Sequence, residues 1–297
     1  MESKKTFAQK LSTEKAAGYI CSVPFVIGFL GFMLIPMVIS LYYAFCDYDI
    51  VSPPVFSGLK NLRKAFSEPR FWMSLRATAY FALIGTPLKV IFALIVALIL
   101  LRNSKVSGIY RAVYYMPSII GGSVAVAFLW KRMFQPDGTI NRVIRSVFPE
   151  YKLINWLADE RAIWVLILLT VWQFGSSMLI FLSSLKQINQ ELYEAAEVDG
   201  ANKWKQFWKV TLPLLTPTVF FNLLQQTINS LLAFTQSWVI TGGTQDTTRF
   251  YAVYQYQEAF TNRNAGYASC LAWIMLVLVS IVTFLLFKSR SKWVYDA

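Results

Sequence analysis

Glu194-Ala195-Ala196-Glu197-Val198-Asp199-Gly200-Ala201, running on to Val210-Thr211-Leu212-Pro213, is a polar, lysine-bearing stretch lodged between two apolar runs of membrane-spanning length. A segment in that position must face water. From Gln190 to Val198 the residues are good helix formers, and Asn189 is placed to cap the first turn. Glu191 and Glu194 put carboxylates near the N-terminal end, where the helix dipole favours them. Gly200 supplies the left-handed conformation that ends a helix and turns the chain. A second helical stretch carries Trp204, Phe207 and Trp208 on one face among Lys203, Lys205 and Lys209, and Leu212-Pro213 is expected to close it. Residues 188–213 are thus predicted to form a helix-turn-helix knob with an apolar anchor and a sharp corner, a shape that seats in a cleft of a moving partner. The competing reading is an ordinary pair of amphipathic surface helices.

The rest of the chain says what the knob is attached to. Hydrophobic residues make up 56% of the sequence and charged ones 15%, with a mean hydropathy of +0.46. That is the composition of a multispanning membrane protein. Crossing the hydrocarbon core takes about 20 mostly apolar residues, and six runs meet that length: 16–45, 77–101, 112–130, 162–184, 213–240 and 268–287. The first contains Pro24 and Pro36 and is longer than a cleaved signal peptide, so it reads as a retained span after a basic stub, 1–15. Residues 288–297 form a tail. Lys and Arg divide almost evenly between the two sides, with slightly higher density in the shorter loops on the side of the termini, which orients that side inward. The segments 56–72 and 141–156 are expected to form amphipathic helices against the outer face.

Several chemistries are excluded. The net charge of +12 comes from basic residues scattered between apolar runs, so it serves to orient spans and meet lipid headgroups, and nucleic acid is not a partner. With no histidine and with Cys21, Cys46 and Cys270 far apart, no metal site, catalytic imidazole or disulfide framework can be assembled. A phosphate-binding Gly-x4-Gly-Lys loop is absent as well, so any ATPase that drives this protein is a separate chain.

The spacing Glu-Ala-Ala-x3-Gly-x9-Val-x-Leu-Pro resembles the loop by which permeases of bacterial ABC importers dock onto their ATPases. The chain as a whole resembles the carbohydrate-uptake branch of that family, the MalF-like and glycerol-phosphate-type permeases. Phe56-Ser57-Gly58-Leu59-Lys60-Asn61 with Phe71 resembles the element after the family's first span. Met116-Pro117, Trp130-Lys131, Phe134, Gly138 and Asn141 resemble its third-span region. Phe234, Thr241-Gly242-Gly243, Thr247, Ala259-Phe260 and Gly266-Tyr267-Ala268 resemble the stretch between its last two spans. Two positions depart from the pattern, Asn189 and Thr244, where the family usually has Pro.

The resemblance implies an all-α integral membrane fold of about six helices, a permease domain over 16–287 and a cytoplasmic coupling helix. It also implies that both termini are cytoplasmic. Glu194, Ala195, Ala196, Asp199, Gly200, Ala201, Phe207, Leu212 and Pro213 would be the ATPase-coupling residues. The partners it implies are a second, MalG-like permease, two ATPase subunits carrying ATP and Mg²⁺, and an extracytoplasmic sugar-binding protein. This chain would hold no cofactor and no catalytic residue. The short tail resembles the MalF-type half of the pair.

Within the fifth run, Asn222, Gln225, Gln226 and Asn229 recur at helical spacing. Amides facing lipid would leave donors and acceptors unpaired at several kcal/mol each, so this stripe faces protein or water. Amides suit sugar hydroxyls, which also donate and accept. Gln236, Trp172, Gln173 and Trp238 are the companions expected along a substrate pathway, and interhelical hydrogen bonding is the alternative use of the stripe. Lys89 stands mid-span with no carboxylate in any span core to pair with. It could meet carbonyls freed by Pro87, the amide stripe, a water cavity or the partner permease; Gly85-Thr86-Pro87 could break the helix beside it, and since similar Pro-Leu-Lys stretches occur in the family, its role is read as structural.

The function expected is therefore ATP-driven import of a carbohydrate, an oligosaccharide, across the bacterial cytoplasmic membrane. An ion-coupled secondary transporter of a small polar solute is the alternative; it would show inverted repeats and membrane carboxylates. A membrane-embedded transferase would need a cluster of His, Asp or Cys.

Overall fold

The computed structural model describes residues 14–101, 107–243 and 245–295; most of the N-terminal stub, residues 102–106, Thr244 and the last two residues lie outside that set. Two compact units divide the chain, Met1–Ala65 with Glu258–Ile274, and Phe66–Gln257 with Met275–Ala297.

In the first unit, α1 (Glu14–Phe29) runs through a π-helical turn, Leu30–Leu34, into α2 (Ile35–Ala44). Cys21–Ala44 is long and apolar enough to cross a membrane. A two-stranded antiparallel hairpin follows, β1 (Cys46–Asp47) pairing β2 (Val55–Phe56) with Cys46 opposite Phe56. Gly58 takes φ +62°, a left-handed turn natural to glycine, and α3 (Lys60–Ser67) begins just after it. The Asn61 carboxamide is buried and donates to the carbonyls of Ala44 (3.0 Å) and Cys46 (2.8 Å), satisfying backbone groups where α2 gives way to the hairpin. Gly266 donates its N–H to Tyr48 O at 2.9 Å, and a Cβ there would meet Cys46 O at 2.3 Å. The Gly-Leu-x-Asn and Gly-Tyr-Ala elements thus have structural work in this unit.

The second unit is organised around α4 (Pro69–Leu100), a single helix of 32 residues. Gly85-Thr86-Pro87 does not break it, contrary to expectation. Thr86 instead ties α4 to α12 (Leu212–Leu231), with its hydroxyl 3.0 Å from Ser230 Oγ and 3.3 Å from Gln226 O, and such support from a neighbouring helix lets a membrane helix tolerate proline. The third run is not a straight span. α5 (Ser107–Ile120) and α6 (Val124–Phe134), with α7 (Thr139–Val147) beyond, turn by 96° at Gly121-Gly122-Ser123. The fourth is bent by 41° between α8 (Asp159–Trp172) and α9 (Gly175–Gln187).

Next come α10 (Gln190–Val198) and α11 (Lys203–Gln206), the latter joined to α12 by a second π-helical turn, Phe207–Thr211. The fifth span therefore runs from Lys203 to Leu231. It starts before Leu212-Pro213 and stops short of Ile240, which belongs to the separate α13 (Thr235–Thr241). After α14 (Tyr251–Tyr256) the chain closes with α15 (Ala265–Trp293). Among the described residues four helices are long and apolar enough to cross a membrane, or six spans if each bent pair counts as one. The tail expected from residue 288 is helical to Trp293, where the Trp293 and Phe287 rings pack on Phe220.

Two apolar clusters fill this unit. One gathers Phe81, Leu166, Leu169, Ile240 and Phe250, the other Val90, Phe174, Met178, Phe181 and Leu215. Small residues at Ala77, Ala93 and Ala97 let neighbours approach α4 closely.

Candidate functional site

The polar loop forms a rigid corner. Asn189 accepts the N–H of Glu191 at 3.2 Å, capping α10. At the other end Gly200 takes φ +73°. Its N–H donates to Glu197 O (3.0 Å), and the N–H of Ala201 donates to Ala196 O (2.8 Å). These two bonds make a Schellman motif, which needs a residue able to go left-handed at this place. Asn202 then caps α11 by accepting the Lys205 N–H at 2.9 Å.

Three braces span the corner. Lys203 pairs with Glu197, Gln206 donates to Ala201 O at 3.2 Å, and the Tyr193 and Thr211 hydroxyls bond at 2.9 Å. Hydrogen bonding from Lys203, then from Gln206, holds the Glu197 carboxyl below its ordinary range. Glu194, Ala195, Asp199 and Gly200 are exposed, whereas Ala196, Ala201, Phe207, Leu212 and Pro213 are half-buried. Trp204, Phe207 and Trp208 form a ring cluster with centroids 5.3–6.4 Å apart. Two large apolar side chains of the corner stand bare, Val198 at 90% and Trp204 at 70% exposure.

Leu212-Pro213 does not end the second helix. Proline lacks the N–H a regular turn would use, and here it follows a π-helical turn closed by the Leu212 N–H on Phe207 O, so the helix passes through without turning. One helix therefore joins the corner to the membrane interior.

Further along it lies a polar cavity of about 200 Å³. Phe81 and Lys89 reach it from α4, Thr170 and Gln173 from the end of α8, and Gln226, Asn229 and Ser230 from α12; Ala233 and Gln236 complete it. Along α4 it falls between the two apolar clusters, at the depth where α8 breaks. Gln173 sits in that break and donates to Gly121 O at 2.8 Å, filling the acceptor freed by the break between α5 and α6. Ser118 donates to Gln173 O and accepts the Ser176 N–H, each at 3.0 Å. The two breaks satisfy each other, as irregular backbone at membrane depth requires. Gln226 is buried and donates to Ser177 Oγ at 3.2 Å, while Asn229 is exposed.

The amide stripe is divided. Gln173, Gln226, Asn229 and Gln236 come together around the cavity. Asn222 is buried elsewhere, donating to Thr218 O at 3.0 Å with its Oδ1 unpartnered, and Gln225 is exposed away from the lining. Trp172 packs on Trp130 (5.6 Å), and Trp238 on Phe234 and Tyr256 (6.1 and 5.3 Å), so both tryptophans serve as packing behind the site. Thr170 carries no local signal in the sequence. The amide stripe and a water cavity are among the neighbours open to a mid-span Lys89, and the packed helices place it beside both.

Apolar spans, an exposed corner and a polar cavity at depth are the features of a membrane transport subunit. The chain belongs to the family of binding-protein-dependent transport system inner membrane components, which matches residues 89–292. It is 46% identical over 292 residues to the probable ABC transporter permease protein YesP of Bacillus subtilis (strain 168), covering 97% of this chain and 94% of that one. It is 30% identical over 263 residues to the probable starch degradation products transport system permease protein AmyD of Thermoanaerobacterium thermosulfurigenes, covering 88% and 89%. Its fold is similar to a chain in the crystal structure of a bacterial ABC transporter involved in the import of the acidic polysaccharide alginate, with a TM-score of 0.78 and 23% identity over 92% of this chain and 95% of that one.

Proposed function

We propose that this chain is one of two permease subunits in an ATP-driven importer of a carbohydrate, an oligosaccharide, with both termini in the bacterial cytoplasm. Two ATPase subunits holding ATP and Mg²⁺, a second permease and an extracytoplasmic binding protein complete it. The permease itself carries no catalytic residue. AmyD, a relative covering most of the chain, supports the carbohydrate class.

The observation that carries the reading is the continuity of Lys203–Leu231. Trp204 and Gln226 stand on one helix, about 33 Å apart at 1.5 Å per residue. When the ATPases close on ATP, they displace the exposed corner at Val198 and Trp204. A stiff helix delivers that displacement to Gln226, Asn229 and Ser230, and the cavity changes the side it opens to. Amides and hydroxyls around it exchange hydrogen bonds with sugar hydroxyls as the ring passes. The 200 Å³ is less than the roughly 300–1,000 Å³ of a complete small-molecule site, which fits a pathway finished by the second permease.

Gly200→Val tests this. A Cβ at Gly200 meets nothing within 4 Å, so the substitution acts through backbone strain at φ +73°, about 1–3 kcal/mol, and straightens or loosens the corner. The assembled variant in proteoliposomes should hydrolyse ATP while losing most binding-protein-dependent uptake. Uptake per ATP equal to that of the wild type would reject the corner as the coupling element.

A further inference from the structure

Lys89 is only 8% exposed and lines the polar cavity. Every other polar group there is a neutral amide or hydroxyl, none of which can neutralise an ammonium. Among the described residues no carboxylate lines the cavity. Thr170 lines the same space, but its hydroxyl oxygen is buried away from it. A buried cation without a counter-charge is costly while the cavity is empty. An anion that accepts hydrogen bonds relieves that cost.

We infer that the transported carbohydrate carries a negatively charged group, and that Lys89 receives this group while the cavity amides bind the sugar hydroxyls. The inference rests on the reading of the cavity as a carbohydrate pathway. A carboxylate fits best. One lysine matches one charge, whereas a phosphate monoester brings about −1.5 to −2.

The assembled transporter, reconstituted with its binding protein, is offered pairs of oligosaccharides of equal length: a uronic-acid-containing one and its carboxyl-reduced neutral counterpart. Uptake of an acidic member should exceed that of its neutral partner. Lys89→Gln should lower acidic uptake at least tenfold and narrow the acidic-to-neutral ratio, and Lys89→Arg should keep that ratio. The wild-type preference for the acidic member keeps the test decisive if Lys89→Gln fails to assemble.

Transport of neutral members alone overturns the inference and leaves the carbohydrate pathway standing. Equal loss of both members in Lys89→Gln, with the second permease no longer co-purifying, overturns it in favour of an ion pair between permeases. An unchanged ratio in Lys89→Gln overturns it as well. Transport of no carbohydrate at all refutes the underlying functional reading instead.

Discussion

Gln226 and Asn229 stand one turn apart on α12 and line the same cavity, yet their substitutions separate stability from transport. The Gln226 amide is buried against Ser177, so Gln226→Ala leaves a buried hydroxyl without its donor, at about 1–3 kcal/mol. Asn229 is exposed and has no such bond to lose among the described residues. Asn229→Ala should therefore reduce uptake several-fold with the melting temperature of the purified complex unchanged, and Gln226→Ala should reduce both. Full uptake in Asn229→Ala would take that residue out of the pathway. Three other polar residues of the spans are tied into the structure. Thr86 and Ser230 hold α4 to α12, and Asn222 bonds its own helix.

At the scale of elements, the two broken spans are the distinctive construction. A Cβ at Gly175 would lie 2.4 Å from Tyr114 O and 2.7 Å from Tyr115 Cα, both backbone atoms of α5. Gly175→Ala must push α9 away from α5 and should cost about 1–3 kcal/mol, read as a lower detergent-melting temperature. An unchanged melting temperature would mean the helices can part freely there. These breaks were poorly legible in the sequence, because 112–130 and 162–184 are apolar enough to be read as straight spans. The clues were Gly121-Gly122-Ser123 and Gln173-Phe174-Gly175. Their meaning depends on Gln173 reaching Gly121 O across 52 residues, a pairing that local pattern does not encode. The corner was legible, since its cap, its glycine and its aromatic spacing are local. Its exit was not: Leu212-Pro213 looks like a stop, and only the π-helical turn before it carries the helix onward. For the cavity, periodicity grouped the amides but could not say which face packs inward. Gln226 and Asn229 were thus gathered with Asn222 and Gln225, and the stripe stayed one of several neighbours open to Lys89.

The whole molecule is incomplete as a transporter. It offers an exposed corner with bare Val198 and Trp204, a cavity smaller than a full site and spans with extensive apolar surface, among them Cys21–Ala44, which is exposed along nearly its whole length. On the function proposed above, each of these meets a partner: an ATPase at the corner, and lipid or a second permease along the spans. Family membership says that the transport system depends on a binding protein, and the fold places the corner and the cavity on one helix. The most direct measurement of this account is isolation of the tagged chain from its native membranes in mild detergent, with the co-purifying chains identified by mass spectrometry. A second permease and an ATPase bearing a phosphate-binding Gly-x4-Gly-Lys loop are expected, with the ATPase lost on Val198→Asp. A stable, folded chain that brings down neither, in cells where the ATPase is expressed, would contradict it.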